Sequence, residues 1–232
     1  MPIRSPLAHK RGKKYAEKAA LVEKKKYPVA EAAELLTKVS TAGFDATAEL
    51  HVKVHADTTQ ADQLVRTTVA LPHGTGKTVR IAAFVPADQV DEAKKAGADR
   101  AGLEDLIEEV SKGTIDFDIA VAVPGVMKGL GKVAKTLGQK GLMPNPKSGT
   151  VTQNLAKTIG ELRKGRVEVK MDKLANIHVP FGKISFGAPK LRENLEALLQ
   201  AIKDAKPAGI KGIYIDSATI APTMGPGIRI EF

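Results

Sequence analysis

Cysteine and tryptophan are absent from the 232-residue chain, and only three tyrosines and six phenylalanines are present. Without cysteine there are no disulfides, thiolate zinc sites, iron-sulfur clusters or cysteine nucleophiles, and a reducing compartment fits. So few aromatics cannot build the stacking platforms by which RRM or OB-type modules hold single strands, where each stacked base contributes about 1–3 kcal/mol. No stretch approaches the roughly 18 consecutive apolar residues that a bilayer crossing needs, and no apolar signal core follows the basic N-terminus. A soluble, cytoplasmic protein is expected. Acidic residues are missing from Ile119 to Gly160, where Lys128, Lys132, Lys135, Lys140, Lys147 and Lys157 all fall.

What is present points to a polyanion. Hydrophobic residues make up 43% of the chain, enough for a real core in one large domain or two small ones. Lysine and arginine number 36 against 26 aspartates and glutamates, a net charge of +10. Residues 1–26 carry nine basic groups (Arg4, Lys10, Arg11, Lys13, Lys14, Lys18, Lys24, Lys25, Lys26) against Glu17 and Glu23, so seven of the ten net charges sit there. A basic arm alone is usually a solvated tail; a basic arm with a long acid-free stretch favours nucleic acid.

Periodicity divides the chain into three stretches of two textures. Pro28 opens a helix with Ala32, Leu35, Leu36 and Val39 on its apolar face, and alternation at Leu50, Val52 and Val54 and at Thr67, Val69 and Leu71 predicts strands. From Val79 to Lys164 strand and helix patterns alternate: strands at 79–85 and 115–123, helices at 87–96, 103–111, 126–137 and 152–164. Such alternation favours a mostly parallel sheet. After Gly165, strands at 166–171 and 176–184, expected to be neighbours, precede a helical stripe of Leu191, Leu195, Leu198, Leu199 and Ile202, with further strands at 212–220 and 227–231. Each flank is about half of a small α+β domain. The expectation is a basic arm (1–27), a split α+β domain (28–73 and 166–232) and an inserted α/β domain (74–165), crossing at Pro72, His73 and Gly74 and again at Gly165.

Several motifs fail on spacing. The Gly-Thr-Gly-Lys-Thr string at 74–78 lacks the first glycine of a Walker loop, which would fall at Leu71, and it leads into a strand instead of a helix. The GxGxxA form at Gly129–Ala134 lacks the ribose-binding acid expected about 20 residues later. Lys128, Lys132 and Lys135 instead share one predicted helical face, where they can track phosphates. His51 and His55 lie on the same side of a strand, near Asp57, but no acidic cluster or HExxH accompanies them, so no metal site is expected. No GxSxG elbow or nucleophile-base pairing argues for catalysis. Neither an enzyme nor a cofactor is expected. Thr223-Met224-Gly225-Pro226-Gly227 combines a hydroxyl, an adaptable thioether and bare glycines, suited to close approach by a folded RNA and equally to a tight turn.

The segment Leu137-Gly138-Gln139-Lys140-Gly141-Leu142-Met143-Pro144-Asn145-Pro146-Lys147 resembles the bacterial form of the L-one ribosomal protein family, the large-subunit stalk proteins. Phe44-Asp45-Ala46-Thr47 with Glu49, Leu71-Pro72-His73-Gly74, and Thr223-Met224-Gly225-Pro226 carry the same resemblance, in order, from about Pro28 to the C-terminus. The resemblance implies an α+β split domain with an inserted Rossmann-like α/β domain on a two-strand hinge. It further implies binding of the split domain to folded large-subunit rRNA, formation of a mobile ribosomal stalk beside the tRNA exit site, assistance in releasing deacylated tRNA, and repression of the protein's own operon mRNA. By matching position the rRNA contacts are Phe44, Thr47, Glu49, Ser217, Thr223, Met224 and Gly225, with Lys53, Lys173 and His178 as further candidates. Lys128, Lys132, Lys135 and Lys140 are candidates for tRNA or secondary RNA contact. Gly43 replaces a frequent lysine, removing one phosphate contact, while Gln139 and Gly227 depart from a frequent Pro and Ser. On this reading the hydroxyls of Thr47, Ser217 and Thr223 face phosphate and 2′-hydroxyl groups, Glu49 accepts hydrogen bonds or orients a cation, and Gly225→Val obstructs docking with little loss of fold.

Overall fold

The computed structural model describes residues 12–60, 62–210 and 212–232. A short basic helix, α1 (Lys13–Ala19), buries none of its side chains. Pro28 then stands at the N-cap of α2 (Val29–Val39), where its missing N–H costs no helical hydrogen bond, and Ala32, Ala33, Leu36 and Val39 turn inward. Strands β1 (Thr47–Val54) and β2 (Arg66–Ala70) follow. The middle of the chain forms β3 (Ile81–Phe84), α3 (Val90–Lys95), β4 (Arg100–Gly102), α4 (Glu104–Ser111), β5 (Ile119–Ala122), α5 (Met127–Leu130), α6 (Ala134–Gln139) and α7 (Leu155–Arg163). It returns through β6 (Arg166–Lys170), β7 (Asn176–Lys183), α8 (Gly187–Asp204), β8 (Ile215–Pro222) and β9 (Ile228–Ile230).

Segments from both ends build one antiparallel sheet in the order β7-β1-β8-β9. Strict alternation along β1 puts Ala48, Leu50, Val52 and Val54 on the face covered by α2 and α8, where they join Phe181, Leu191, Leu195, Leu198 and Ile220 in the largest core. The opposite face is open to solvent. The middle of the chain makes a separate parallel sheet, β4-β3-β5, which Val151 extends through a bridge to Ala122. Helices cover both of its faces: Ala82 and Phe84 pack with Leu106, Leu130 and Leu137, while Ile81, Ala83 and Val85 pack with Ala93, Leu155 and Ile159. Two-sided burial explains why 81–85 is a continuous apolar run without alternation.

Four expectations change. The segment 126–137 is not one helix, because a 3-10 turn at Gly131–Val133 separates α5 from α6, and Gly129 and Gly131 are poor helix formers. Strand β4 is three residues long, too short for a periodic signal. Strand β6 does not lie beside β7 in the main sheet; it pairs with β2 in a two-stranded ribbon, from Arg66↔Lys170 to Ala70↔Arg166, leaving only the Met171↔Ile177 bridge between them. Finally, Tyr27 belongs to the core and not to the arm: its N–H donates to the Arg229 carbonyl, its carbonyl accepts from Glu231, and its ring is buried. Arg4, Lys10 and Arg11 of the arm lie outside the described residues.

The two chain crossings meet back to back. Gly74 (φ +65°) and Gly165 (φ +95°) approach so closely that a Cβ on Gly165 would lie 2.3 Å from the Gly74 Cα. Helix α8 holds the first crossing against the antiparallel sheet. Asn194, fully buried, accepts from the His73 N–H (3.0 Å) and donates to the carbonyls of Gly74 (2.9 Å) and Phe181 (2.8 Å). Its neighbour Glu193 pairs with the His73 imidazole at 2.6 Å. Pro72, His73, Gly74 and Gly165 thus occupy one junction.

Candidate nucleic-acid interface

The register of the antiparallel sheet gathers its outward side chains into rows. Glu49 stands between Pro180 and Ala221, His51 between His178 and Thr219, and Lys53 between Asn176 and Ser217, with Arg229 beyond Thr219 on β9. Glu49, Lys53, His178 and Ser217, taken from three strands far apart in sequence, therefore share one solvent face. Lys173 lies in the turn between β6 and β7. It lines, with Lys53, a groove of about 580 Å³ at the far end of that face. The Lys53 ammonium donates to the Leu174 carbonyl there.

At the other end of β1 two loops are tied together. The Thr223 N–H donates to the Thr47 carbonyl (2.9 Å), the Thr223 hydroxyl donates to that same carbonyl (3.2 Å), and the Thr47 N–H donates back to the Thr223 hydroxyl (3.0 Å). The Thr41 hydroxyl reaches the Met224 carbonyl at 3.2 Å. Phe44 and Met224, 61% and 78% exposed, are presented by these joined loops. Met224 adopts φ +65°, a conformation uncommon for a side chain of this type.

Two of these residues also serve the fold. The Thr223 hydroxyl bonds to the Thr47 main chain and so latches the two loops together. Gly225 is required by its own fold: a Cβ would lie 2.4 Å from Cγ of the buried Pro222, a ring that cannot swing away. Gly225→Val is therefore expected to displace the 223–226 loop and destabilise the protein by about 1–3 kcal/mol. Thermal unfolding checks this, and an unchanged midpoint would mean the loop relaxes freely.

Two further residues, Ser185 and Lys183, hold the Phe44 loop through Asp45 and Thr47, and residue patterns did not single them out. Ser185 donates to Asp45 through its N–H (3.0 Å) and its hydroxyl (2.7 Å), and these bonds keep the Asp45 carboxyl below the ordinary carboxylate range. The Lys183 ammonium donates to the Thr47 hydroxyl (2.9 Å) and the Asp45 carbonyl (3.3 Å). Both contacts span about the whole length between the first and last thirds of the chain, so no local signal marks them.

In the centre of the face His51 and His178 meet Nδ1 to Nδ1 at 2.8 Å. Their outer nitrogens approach Glu49 (3.8 Å) and Asp172 (3.7 Å) respectively. Glu49 thus lies beside the His51 imidazole, beyond hydrogen-bond distance. Partial burial, then the neighbouring His178, push the His51 pKa below its ordinary value, against a smaller opposing pull from Glu49. A depressed folded-state pKa means the unfolded chain binds the proton more readily, so this contribution is intact above about pH 6.5 and is lost as pH falls through the folded value. His51→Gln should therefore narrow the drop in melting temperature between neutral and mildly acidic pH. An identical drop in parent and variant would refute the coupling.

Lys128, Lys132, Lys135 and Lys140 are all exposed on the parallel-sheet part of the molecule, opposite the buried Val126, Leu130, Val133 and Leu137. They share an outer surface, although it is a broken series of turns and not the continuous helical face expected. The 74–78 segment runs on toward β3, and the Lys77 ammonium pairs with Asp118 at 2.9 Å. His51 turns to His178 and not to His55, and no group of three metal-ligating side chains occurs among the described residues. No helix there is long and apolar enough to cross a membrane.

The family described as Ribosomal protein L1p/L10e matches residues 36–226 of the chain. The chain is 47% identical over 224 residues to the large ribosomal subunit protein uL1 of Fervidobacterium nodosum, covering 96% of this chain and 95% of that protein. Proteins of the same name from Thermosipho melanesiensis (47%) and Thermosipho africanus (48%) match over 96% of this chain and 97% of their own length.

Proposed function

Because the chain belongs to the Ribosomal protein L1p/L10e family, we propose that it is a structural component of the large ribosomal subunit, in the cytoplasmic ribosome, that grips folded rRNA with the open face of its antiparallel sheet. The observation that carries this reading is the joining of Phe44-Thr47 to Thr223-Gly225 at the edge of that face, in line with Glu49, His51, Lys53, His178 and Ser217. Aromatic scarcity favours a target read by contour, phosphate and 2′-hydroxyl over one read by base stacking. Phe44 and Met224 supply the apolar contacts, the Thr47 and Ser217 hydroxyls and the Lys53 and Lys173 ammonium groups the polar ones, and Thr223 and Gly225 shape the loop. No step of catalysis is assigned to any residue.

The same reading divides the chain into a split domain (28–73 and 166–232) and an inserted Rossmann-like domain (74–165) that swings about the Pro72-Gly74 and Gly165 junction. The exposed lysines at 128, 132, 135 and 140 then form a second RNA surface facing exit-site tRNA, assisting its release. Recognition of a similar fold in the protein's own operon mRNA makes it a translational repressor.

Titration of a large-subunit rRNA fragment against salt tests the main claim. Log affinity should fall linearly with log salt between about 50 and 200 mM, and Ser217→Glu, which sets a carboxylate against the phosphates, should weaken binding about tenfold or more with the fold unchanged. Changing Lys128, Lys132 and Lys135 to Gln should leave that affinity intact and weaken tRNA contact. Salt-independent binding would defeat the proposal, as would full dependence of binding on residues 1–26, which would leave a polybasic tail and no RNA-reading face.

A further inference from the structure

We infer that Lys183 is a positioning residue that couples the RNA-facing loop at Asp45-Thr47 to the seating of the chain crossing at Gly76. The inference rests on the RNA face and the swinging domain proposed above. Lys183, the last residue of β7, touches both places with one side chain. Its ammonium holds the Thr47 hydroxyl and the Asp45 carbonyl. Its stem lies against Gly76, where an added Cβ would stand 2.8 Å from Lys183 Cγ and 2.9 Å from Phe186 Cζ. A larger residue there must push the stem or the Phe186 ring aside, at a φ of +72° that already favours glycine. The segment between these contacts is stiff, because the Ile184 N–H donates to the Ala46 carbonyl (2.9 Å) and Ser185 is doubly bonded to Asp45.

Gly76 follows the Gly74/Gly165 contact on the way to β3, so rotation about that contact carries it away from Lys183. While Gly76 is seated, the stem is confined and the ammonium occupies the Thr47 hydroxyl. An RNA phosphate that draws the ammonium outward frees that hydroxyl and lifts the stem from Gly76. RNA binding and unseating of the crossing therefore favour one another, and linkage makes the effect reciprocal.

The cysteine-free chain allows the test in the full-length protein, with spin labels at Lys112→Cys and Lys203→Cys, both exposed positions on the two parts of the molecule. In the parent, rRNA should shift the interlabel distance distribution. Gly76→Ala, whose Cβ takes the place of the stem, should show the shifted distribution without RNA and bind RNA about fivefold more tightly, the lower range of typical coupling. Lys183→Met keeps the stem and loses the ammonium; RNA should no longer shift its distances, and Lys183→Arg should restore the shift. A shift retained in Lys183→Met, an unchanged distribution in the parent on binding RNA, or unaltered affinity in Gly76→Ala each overturns the coupling. Failure of the parent to bind RNA at all overturns the functional reading instead.

Discussion

Gly165→Ala is expected to lower the unfolding free energy by roughly 2–5 kcal/mol. Its Cβ would meet the facing main chain: the Gly74 Cα at 2.3 Å and the Gly74 carbonyl carbon and Thr75 nitrogen at 3.1 Å. Main chain cannot rotate aside as a side chain can, so the two crossing strands must separate. The left-handed φ of +95° adds a penalty that any side chain other than glycine's incurs. Gly74→Ala makes the contrast. Its φ is +65° but its nearest neighbour, the Lys164 carbonyl oxygen, is 3.1 Å away, so about 1–2 kcal/mol of conformational penalty should dominate. Urea denaturation of both variants separates the two causes. Equal losses would mean that collision between the crossings contributes little.

Asn194→Leu is expected to cost roughly 3–5 kcal/mol, although leucine shares asparagine's branched heavy-atom outline. The side chain is wholly buried and serves three main-chain groups at once: the His73 N–H and the carbonyls of Gly74 and Phe181. Leucine leaves all three without that partner, and each buried polar group left unpaired costs about 1–3 kcal/mol. Two of the three belong to the first crossing, so the loss should be local as well as global. Faster hydrogen exchange at His73, beyond the change in global stability, is the expected signature; protection equal to that of the parent would show that another partner replaces the amide.

Much of the architecture is legible because burial is written as periodicity. Leu50, Val52 and Val54 alternate, Leu191 to Ile202 recur at helical spacing, and Ile81 to Val85 run unbroken, and each becomes the element its period implies. The stretch around Gly129 and Gly131 misleads because Val126, Leu130, Val133 and Leu137 keep helical spacing through a 3-10 turn, which buries the same side with a different hydrogen-bond pattern. Strand β6 reads correctly as a strand, but it meets β7 only at the Met171–Ile177 bridge and otherwise pairs with β2. Pairing depends on which edge is free, and nothing within Arg166–Lys170 states that.

The candidate site is less evenly legible. Family resemblance named Phe44, Glu49, Ser217 and Met224; the register of β1 with β7 and β8 puts Glu49 and Ser217 on one face, and hydrogen bonds between their loops bring Phe44 and Met224 together. Thr223 and Gly225 were drawn from the same motif as RNA contacts. Their hydroxyl and bare backbone turn out to serve Thr47 and Pro222, a distinction that depends on distances of a few ångströms across 176 residues of chain. Lys183 carries no motif of its own and became visible only through what it touches.

Composition, periodicity and turn residues alone determined that this chain folds into α and β elements in two textures, carries a net charge of +10, and has no cysteine thiol. Those properties are local, since each residue's preference for water, helix or strand acts over a few neighbours. Only the tertiary structure decided which strands pair, which hydroxyls are bonded, and that Gly74 and Gly165 meet backbone while Gly76 meets the Lys183 and Phe186 side chains. Such facts arise from close packing between distant segments, where a shift of one ångström changes a hydrogen bond into a clash.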